Sequence, residues 1–167
     1  MKPRITFVLT GGTIDKEYDA LDQAFTVGQG AVGRILGFVN PNFEATIVPV
    51  VQKVSVNILP DEKEEIRRVC AEAADDKIVM TYGTDAMAEA GELLATIQGK
   101  TIVLTGALKS QLIKDTDAEF NLGFAVAAVQ TLPHGVYVAM SGRVYPWNKC
   151  KKDVETGQFL ENDTHAS

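Results

Sequence analysis

Ile5-Thr6-Phe7-Val8-Leu9-Thr10-Gly11-Gly12-Thr13-Ile14 is a short apolar run that stops on two glycines and a threonine. Its counterpart further on is Ile78-Val79-Met80-Thr81-Tyr82-Gly83-Thr84-Asp85, again broken by glycine and followed by threonine. Apolar stretches of this length, bounded by turn residues, read as strands buried on both faces. Each places a threonine at the mouth of its strand, the second beside a carboxylate.

Outward from these two runs, strands are predicted at residues 5–10, 44–51, 77–81, 101–105 and 136–140. Helices are predicted between them, at residues 28–39, 61–74, 84–97 and 117–132. The helix at 61–74 opens on Pro60 and Asp61, with Glu64 at capping-box spacing from Asp61, and Ile66, Val69 and Ala73 on its buried face. The helix at 117–132 is apolar nearly all round, which predicts packing on both sides. Residues 15–23 read as a polar, irregular loop with a lone Tyr18. After Trp147 the chain turns polar and basic, and its tail is expected to fray from about residue 160.

This alternation predicts an α/β fold, a flavodoxin-like (Rossmann-like) doubly wound parallel sheet in three α/β/α layers, strand order 2-1-3-4-5. That order makes the first and third strands neighbours at a reversal of winding, where such folds bind ligands beyond the strand C-termini. Both threonine motifs sit there.

The 167 residues suffice for one compact domain. A net charge of -6 argues against a nucleic-acid binder, which needs a basic face. Two cysteines, Cys70 and Cys150, make no disulfide scaffold, and they and the two histidines, His134 and His165, show no metal-ligand spacing. No metal or cofactor is expected. Neither a signal-peptide apolar core nor an 18-residue apolar span is visible, so no membrane partner and a cytoplasmic home are expected.

The run Thr10-Gly11-Gly12-Thr13 presents backbone N–H groups that suit a carboxylate, a phosphate or a developing oxyanion, or simply makes a tight turn. It is neither a G-x-G-x-x-G nor a P-loop motif. Gly83-Thr84-Asp85 opens a predicted helix, where Thr84 and Asp85 suit capping. The chemical alternative is that Asp85 holds a substrate ammonium while Thr84 acts as or positions an oxygen nucleophile. Such a hydroxyl needs a base, and a neutral lysine from Lys149, Lys151 or Lys152 is the available source. Tyr18 suits a proton relay to Thr13 as well as a surface position. Ser55 and Asn57 follow the second strand and reach the same pocket or make a turn.

Thr10-Gly11-Gly12-Thr13-Ile14 and Tyr82-Gly83-Thr84-Asp85-Ala86-Met87 resemble the two signature motifs of the bacterial-type L-asparaginase/glutaminase family. Residues 100–107 resemble that family's following strand, and residues 117–126, with Asn121-Leu122 and Ala125-Val126, its next helix. Typical members are about twice as long, and their second domain completes a neighbouring subunit's active site. The chain resembles the short, single-domain L-asparaginases, a single N-terminal-type domain over residues 1–167.

The resemblance implies that Thr13 attacks the side-chain amide carbon, giving an acyl-enzyme and ammonia. It implies that Thr84, Asp85 and a lysine activate water for deacylation. Counted from Met140, the family lysine falls on Lys152. Ser55 would bind the substrate α-carboxylate and Asp85 its α-ammonium, with main-chain N–H groups near Gly12, Gly83 and Thr84 lining the oxyanion site. Phe25-Thr26-Val27-Gly28 departs from the family, because Phe25 stands where longer members carry their catalytic tyrosine, so that role passes to Tyr18 or is absent. The expected function is therefore L-asparagine amidohydrolase, with L-glutamine as the second candidate substrate and a homodimer or homotetramer as the assembly. The alternatives are a non-catalytic aspartate/asparagine-binding sensor and a partner-dependent amidase subunit. A phosphate- or nucleotide-binding module ranks last.

Overall fold

The computed structural model describes residues 1–28 and 30–162. Its centre is a six-stranded sheet. β1 (Arg4–Gly11), β4 (Glu44–Lys53), β5 (Lys77–Thr81), β6 (Thr101–Thr105) and β7 (Gly135–Met140) run parallel, and β8 (Arg143–Pro146) adds to β7 antiparallel. The order is β4-β1-β5-β6-β7-β8. The five parallel strands thus follow the predicted 2-1-3-4-5 order, and the sixth strand is an addition to it. β8 escapes sequence reading because Pro146 ends it and only Tyr145 of its four residues is buried. An edge strand needs no more.

The period-two alternation of strands sorts the core into two clusters. Ile5, Phe7, Leu9, Val79, Val103 and Ala139 pack under α1 (Ala31–Val39) and α4 (Ala118–Thr131). Val8, Ile78, Met80, Ile102, Leu104 and Val138 pack under α2 (Pro60–Glu72) and α3 (Met87–Leu94). Each large side chain so buried contributes about 1.5–3 kcal/mol. This is the three-layer α/β/α arrangement the alternation predicts.

Several local expectations are corrected. Residues 15–23 are not irregular: β2 (Lys16–Asp19) and β3 (Ala24–Val27) form an antiparallel hairpin that pairs with no other strand. None of its strand residues is fully buried, so no apolar alternation marks it. The α2 cap is Glu62, whose carboxylate accepts the Leu59 N–H at 2.8 Å, whereas Glu64 pairs with Arg67. Helix α4 buries only the face carrying Ala118, Leu122, Ala125 and Val129; Phe120 on its other side is 63% exposed. Residues 159–161 form strand β10 (Phe159–Glu161) against β9 (Cys150–Lys152), so order extends at least to Glu161. Residues 163–167, with His165, lie outside the described residues. Among those described, no helix is long and apolar enough to cross a membrane.

Candidate active site

The first motif bends because glycine lets it. Gly11 and Gly12 hold φ of 94° and 86°, a region that a side chain makes costly. The Gly12 N–H donates to the Lys53 carbonyl at 3.0 Å. A Cβ on Gly12 would sit 3.0 Å from the Gly83 nitrogen, so the backbones of the two motifs touch. Thr10 and Thr81 form the seam beneath. The Thr10 hydroxyl donates to the Thr81 carbonyl at 2.6 Å, and both residues are buried. Above the seam, Thr13 opens a single 3-10 turn, Thr13–Asp15. It is half-buried, and its hydroxyl makes no hydrogen bond among the described residues.

The second motif is not a helix cap. Helix α3 begins three residues later than predicted, and its cap position, Ala86, offers no side chain for the purpose. Thr84 and Asp85 are engaged elsewhere. Lys152 Nζ donates to Thr84 Oγ1 at 2.9 Å and to Asp85 Oδ1 at 2.8 Å. Thr84 is buried, the Lys152 side chain is 17% exposed and that of Asp85 68%. Such a half-exposed ion pair adds little to stability, so its consequence is geometric: it fixes the lysine over the threonine hydroxyl.

Strand alternation selects Lys152 from the three lysines. In β9, Cys150 and Lys152 point inward while Lys151 is exposed; Lys149 lies just before the strand, also exposed. The β9–β10 hairpin is fastened by the Tyr145 hydroxyl, which donates to the Phe159 carbonyl at 2.8 Å, and by the buried Phe159 ring. Burial pushes the neighbouring Cys150 thiol up to about 11, so it stays protonated and inert.

Ser55 opens a 3-10 turn (Ser55–Asn57) after β4 and presses on the second motif. A Cβ on Gly83 would meet Ser55 Oγ at 2.5 Å, so this glycine is required for the approach. Asn57 is exposed. Thr84, Asp85 and Lys152 are thus brought together, and Gly12, Gly83 and Ser55 converge beside them. Tyr18 is not brought into a hydrogen bond. Its ring, 58% exposed, packs edge-on against Phe25 at 5.5 Å between centroids, directly across the β2–β3 hairpin.

Two supports are not among the site residues that the sequence predicts. Asp117 accepts the N–H groups of Leu108 and Lys109 at 2.9 and 3.0 Å, and Asn121 donates to the Gly106 carbonyl at 3.0 Å. Together they hold a loop whose Gly106 approaches the Tyr82 carbonyl so closely that a Cβ would clash. Their four-residue spacing on one helix face is a faint signal. The other support is Asp15, almost wholly buried, whose carboxylate accepts the Ala31 N–H at 2.9 Å. Nothing in the sequence separates it from the charged residues after it.

A cavity of about 360 Å³ borders Thr84, Asp85, Met87, Lys152 and Phe159. A larger one, about 460 Å³, lies between α1 and β4 with Asp15 in its wall. Among the described residues, no three His, Cys, Asp or Glu side chains gather as a metal site would need.

A sequence model of the family described as asparaginase, N-terminal, matches residues 4–159. The chain belongs to the asparaginase family. No curated protein matches it. Among solved structures, it is similar to the thermostable L-asparaginase from Thermococcus kodakarensis, with TM-score 0.80, 21% identity and coverage of 95% of this chain and 51% of that one. For a probable cytoplasmic L-asparaginase from Campylobacter jejuni the values are 0.79, 27%, 98% and 54%. For L-asparaginase I from Vibrio cholerae O1 biovar eltor str. N16961 they are 0.81, 21%, 96% and 52%. The likeness at 21% is one of fold. This asparaginase-family chain spans about half the length of the structures it matches.

Proposed function

We propose that this chain hydrolyses the side-chain amide of L-asparagine to L-aspartate and ammonia through a threonine acyl-enzyme. The observation that carries the reading is the contact of Lys152 Nζ with both Thr84 Oγ1 and Asp85 Oδ1, at the point where the two glycine-threonine motifs touch. Thr13 Oγ attacks the amide carbon. The oxyanion that forms is met by main-chain N–H groups of the Gly12 and Gly83–Thr84 turns, whose fixed dipoles need no reorganisation. Its collapse expels ammonia, and water activated through Thr84 and Lys152 then cleaves the Thr13 ester. Ser55 receives the substrate α-carboxylate, and the exposed Asp85 carboxylate its α-ammonium. Tyr18 relays the Thr13 proton when the hairpin closes over bound substrate. No step calls for a metal or cofactor. Glutamine is longer by one methylene, worth about 1–3 kcal/mol of discrimination, and is the weaker substrate. The protein acts in the cytoplasm, as a homodimer or homotetramer.

The test is ammonia release from L-asparagine by the purified chain, with Thr13→Ala and Thr84→Val beside it. No turnover by the wild type, or full turnover by both variants, overturns the reading. A second reading, a partner-dependent amidase subunit, draws support from a Tyr18 hydroxyl with no partner among the described residues. It predicts turnover only after a second chain is added. Saturable aspartate binding without any ammonia release would indicate a sensor.

A further inference from the structure

We infer that Asp15 is a positioning residue for the Thr13 nucleophile, setting its attack geometry by pinning the turn that carries it to the N-terminus of helix α1. The inference rests on the reading of Thr13 as the attacking group. Its basis is a set of three bonds made by one residue. The Asp15 N–H donates to the Gly12 carbonyl at 3.2 Å, closing the turn around Thr13. The Asp15 carbonyl accepts the Gly28 N–H at 2.7 Å, closing the base of the β2–β3 hairpin that bears Tyr18. The Asp15 carboxylate accepts the Ala31 N–H at 2.9 Å, the first residue of α1. Nucleophile turn, hairpin and helix therefore meet at one side chain two positions beyond Thr13. A carboxylate here bonds an N–H that no helix residue can satisfy, and it faces the positive end of the helix dipole. The helix has no capping side chain of its own, because its cap position is Gly30.

The electrostatic surroundings make this clamp sensitive to protons. Asp15 is 2% exposed, and burial pushes its carboxyl from 3.8 up to about 6. Two charged groups face it and oppose each other: Arg34 on α1 lowers the value and Glu17 on β2 raises it. Arg34 is otherwise engaged, through Nε with the Gln111 side chain at 2.7 Å and through Nη1 with Glu17 at 3.9 Å. The walls from β1 and β4 bring only Leu9, Ile47, Pro49, Val50, Val51 and Gln52, none of them titratable. The cavity between α1 and β4 gives solvent protons a route to the carboxylate. Above about pH 6 the clamp is charged and tight. Below it the carboxyl is neutral, the pull on the Ala31 N–H weakens, and the Thr13 turn loosens.

The experiment compares wild type, Asp15→Asn and Asp15→Ala by two readouts. Asn keeps an oxygen for the Ala31 N–H without a titrating proton, and Ala keeps neither. In amide NMR, the Thr13 and Ala31 signals of the wild type should move together with a midpoint about pH 6 and stay flat in Asp15→Asn. In asparagine hydrolysis, kcat of the wild type should fall on the acid side with the same midpoint. Asp15→Asn, neutral at every pH, should lose that limb and hold at all pH values the reduced kcat of the wild type's acid plateau. Asp15→Ala should lose about 10- to 100-fold in kcat with KM little changed, because Asp15 bonds none of the side chains assigned to the substrate ends. Independent titration of the two amides, an unchanged acid limb in Asp15→Asn, or kcat of Asp15→Ala within threefold of wild type overturns the inference. A wild type that releases no ammonia overturns the proposed function instead, and the NMR titration then decides alone whether Asp15 governs the Thr13 turn.

Discussion

Around Thr84 the side chains are bonded to one another: the hydroxyl and the Asp85 carboxylate share Lys152, and the lysine is held by a hairpin fastened to Tyr145. Around Thr13 the bonds that hold the turn all involve backbone groups, and the hydroxyls stand apart from them. Gly12 and Asp15 fix the turn, while the hydroxyls of Thr13 and Tyr18 have no partner among the described residues. The contrast matches two tasks. A group that activates water needs its base in place before substrate arrives, whereas an attacking hydroxyl must present a clear face to the amide carbon. Tyr18 sits on a hairpin that pairs with no third strand, and such hairpins open at little free-energy cost. On the proposed reading, one half of the site is preformed and the other is completed by closure.

Removing either half at its centre should have the largest effect. Thr13→Ala and Lys152→Met are each expected to lower kcat for asparagine by about 10³-fold or more while the fold persists. Equal activity of Lys151→Met and Lys152→Met would break the assignment of the preformed half. Next in size, Tyr18→Phe should cost about 10²-fold in kcat. Adding Phe25→Tyr to it moves the hydroxyl across the hairpin to the residue directly opposite. Recovery in that double variant would show that the hairpin, not one position on it, delivers the proton. Gly83→Ala should raise KM about tenfold, because the new methyl displaces Ser55; an unchanged KM would remove Ser55 from the substrate site.

The smallest effect concerns stability. Asp15 has its carboxyl raised from 3.8 to about 6 in the folded state, so folding takes up a proton between those values. The sign follows: the contribution is full below about pH 4 and is lost as pH rises through 6. Relative to Asp15→Asn, the wild type should gain about 1 kcal/mol between pH 7 and pH 5, read from urea midpoints. A difference independent of pH would show that Asp15 is no more acidic unfolded than folded.

What the sequence discloses follows the same division. Residues 77–81 and 101–105 are predicted strands with the observed boundaries, because strands buried on both faces must be apolar throughout. The contact of the two threonine motifs is legible too, since winding order alone makes β1 and β5 neighbours. The β2–β3 hairpin is hidden because both its faces meet solvent and its one cross-strand aromatic pair needs the fold to be seen. Asp15 is hidden because its importance comes from burial and from Ala31, sixteen residues on. The late start of α3 is hidden because Thr84 and Asp85 suit a cap by type, and only Lys152, from 68 residues away, shows that they are used otherwise.

The strand order also sets a timetable. β1 lies between β4 and β5, so it leaves a ribosome before either partner, at residues 44–53 and 77–81, has followed. The lysine that meets Thr84 arrives later still, on a hairpin near residue 150 whose anchor, β8, must first dock on β7. A nascent chain can therefore assemble its parallel sheet and both threonine turns before Lys152 reaches Thr84. On the proposed reading, the half of the site that activates water is a switch thrown late in synthesis.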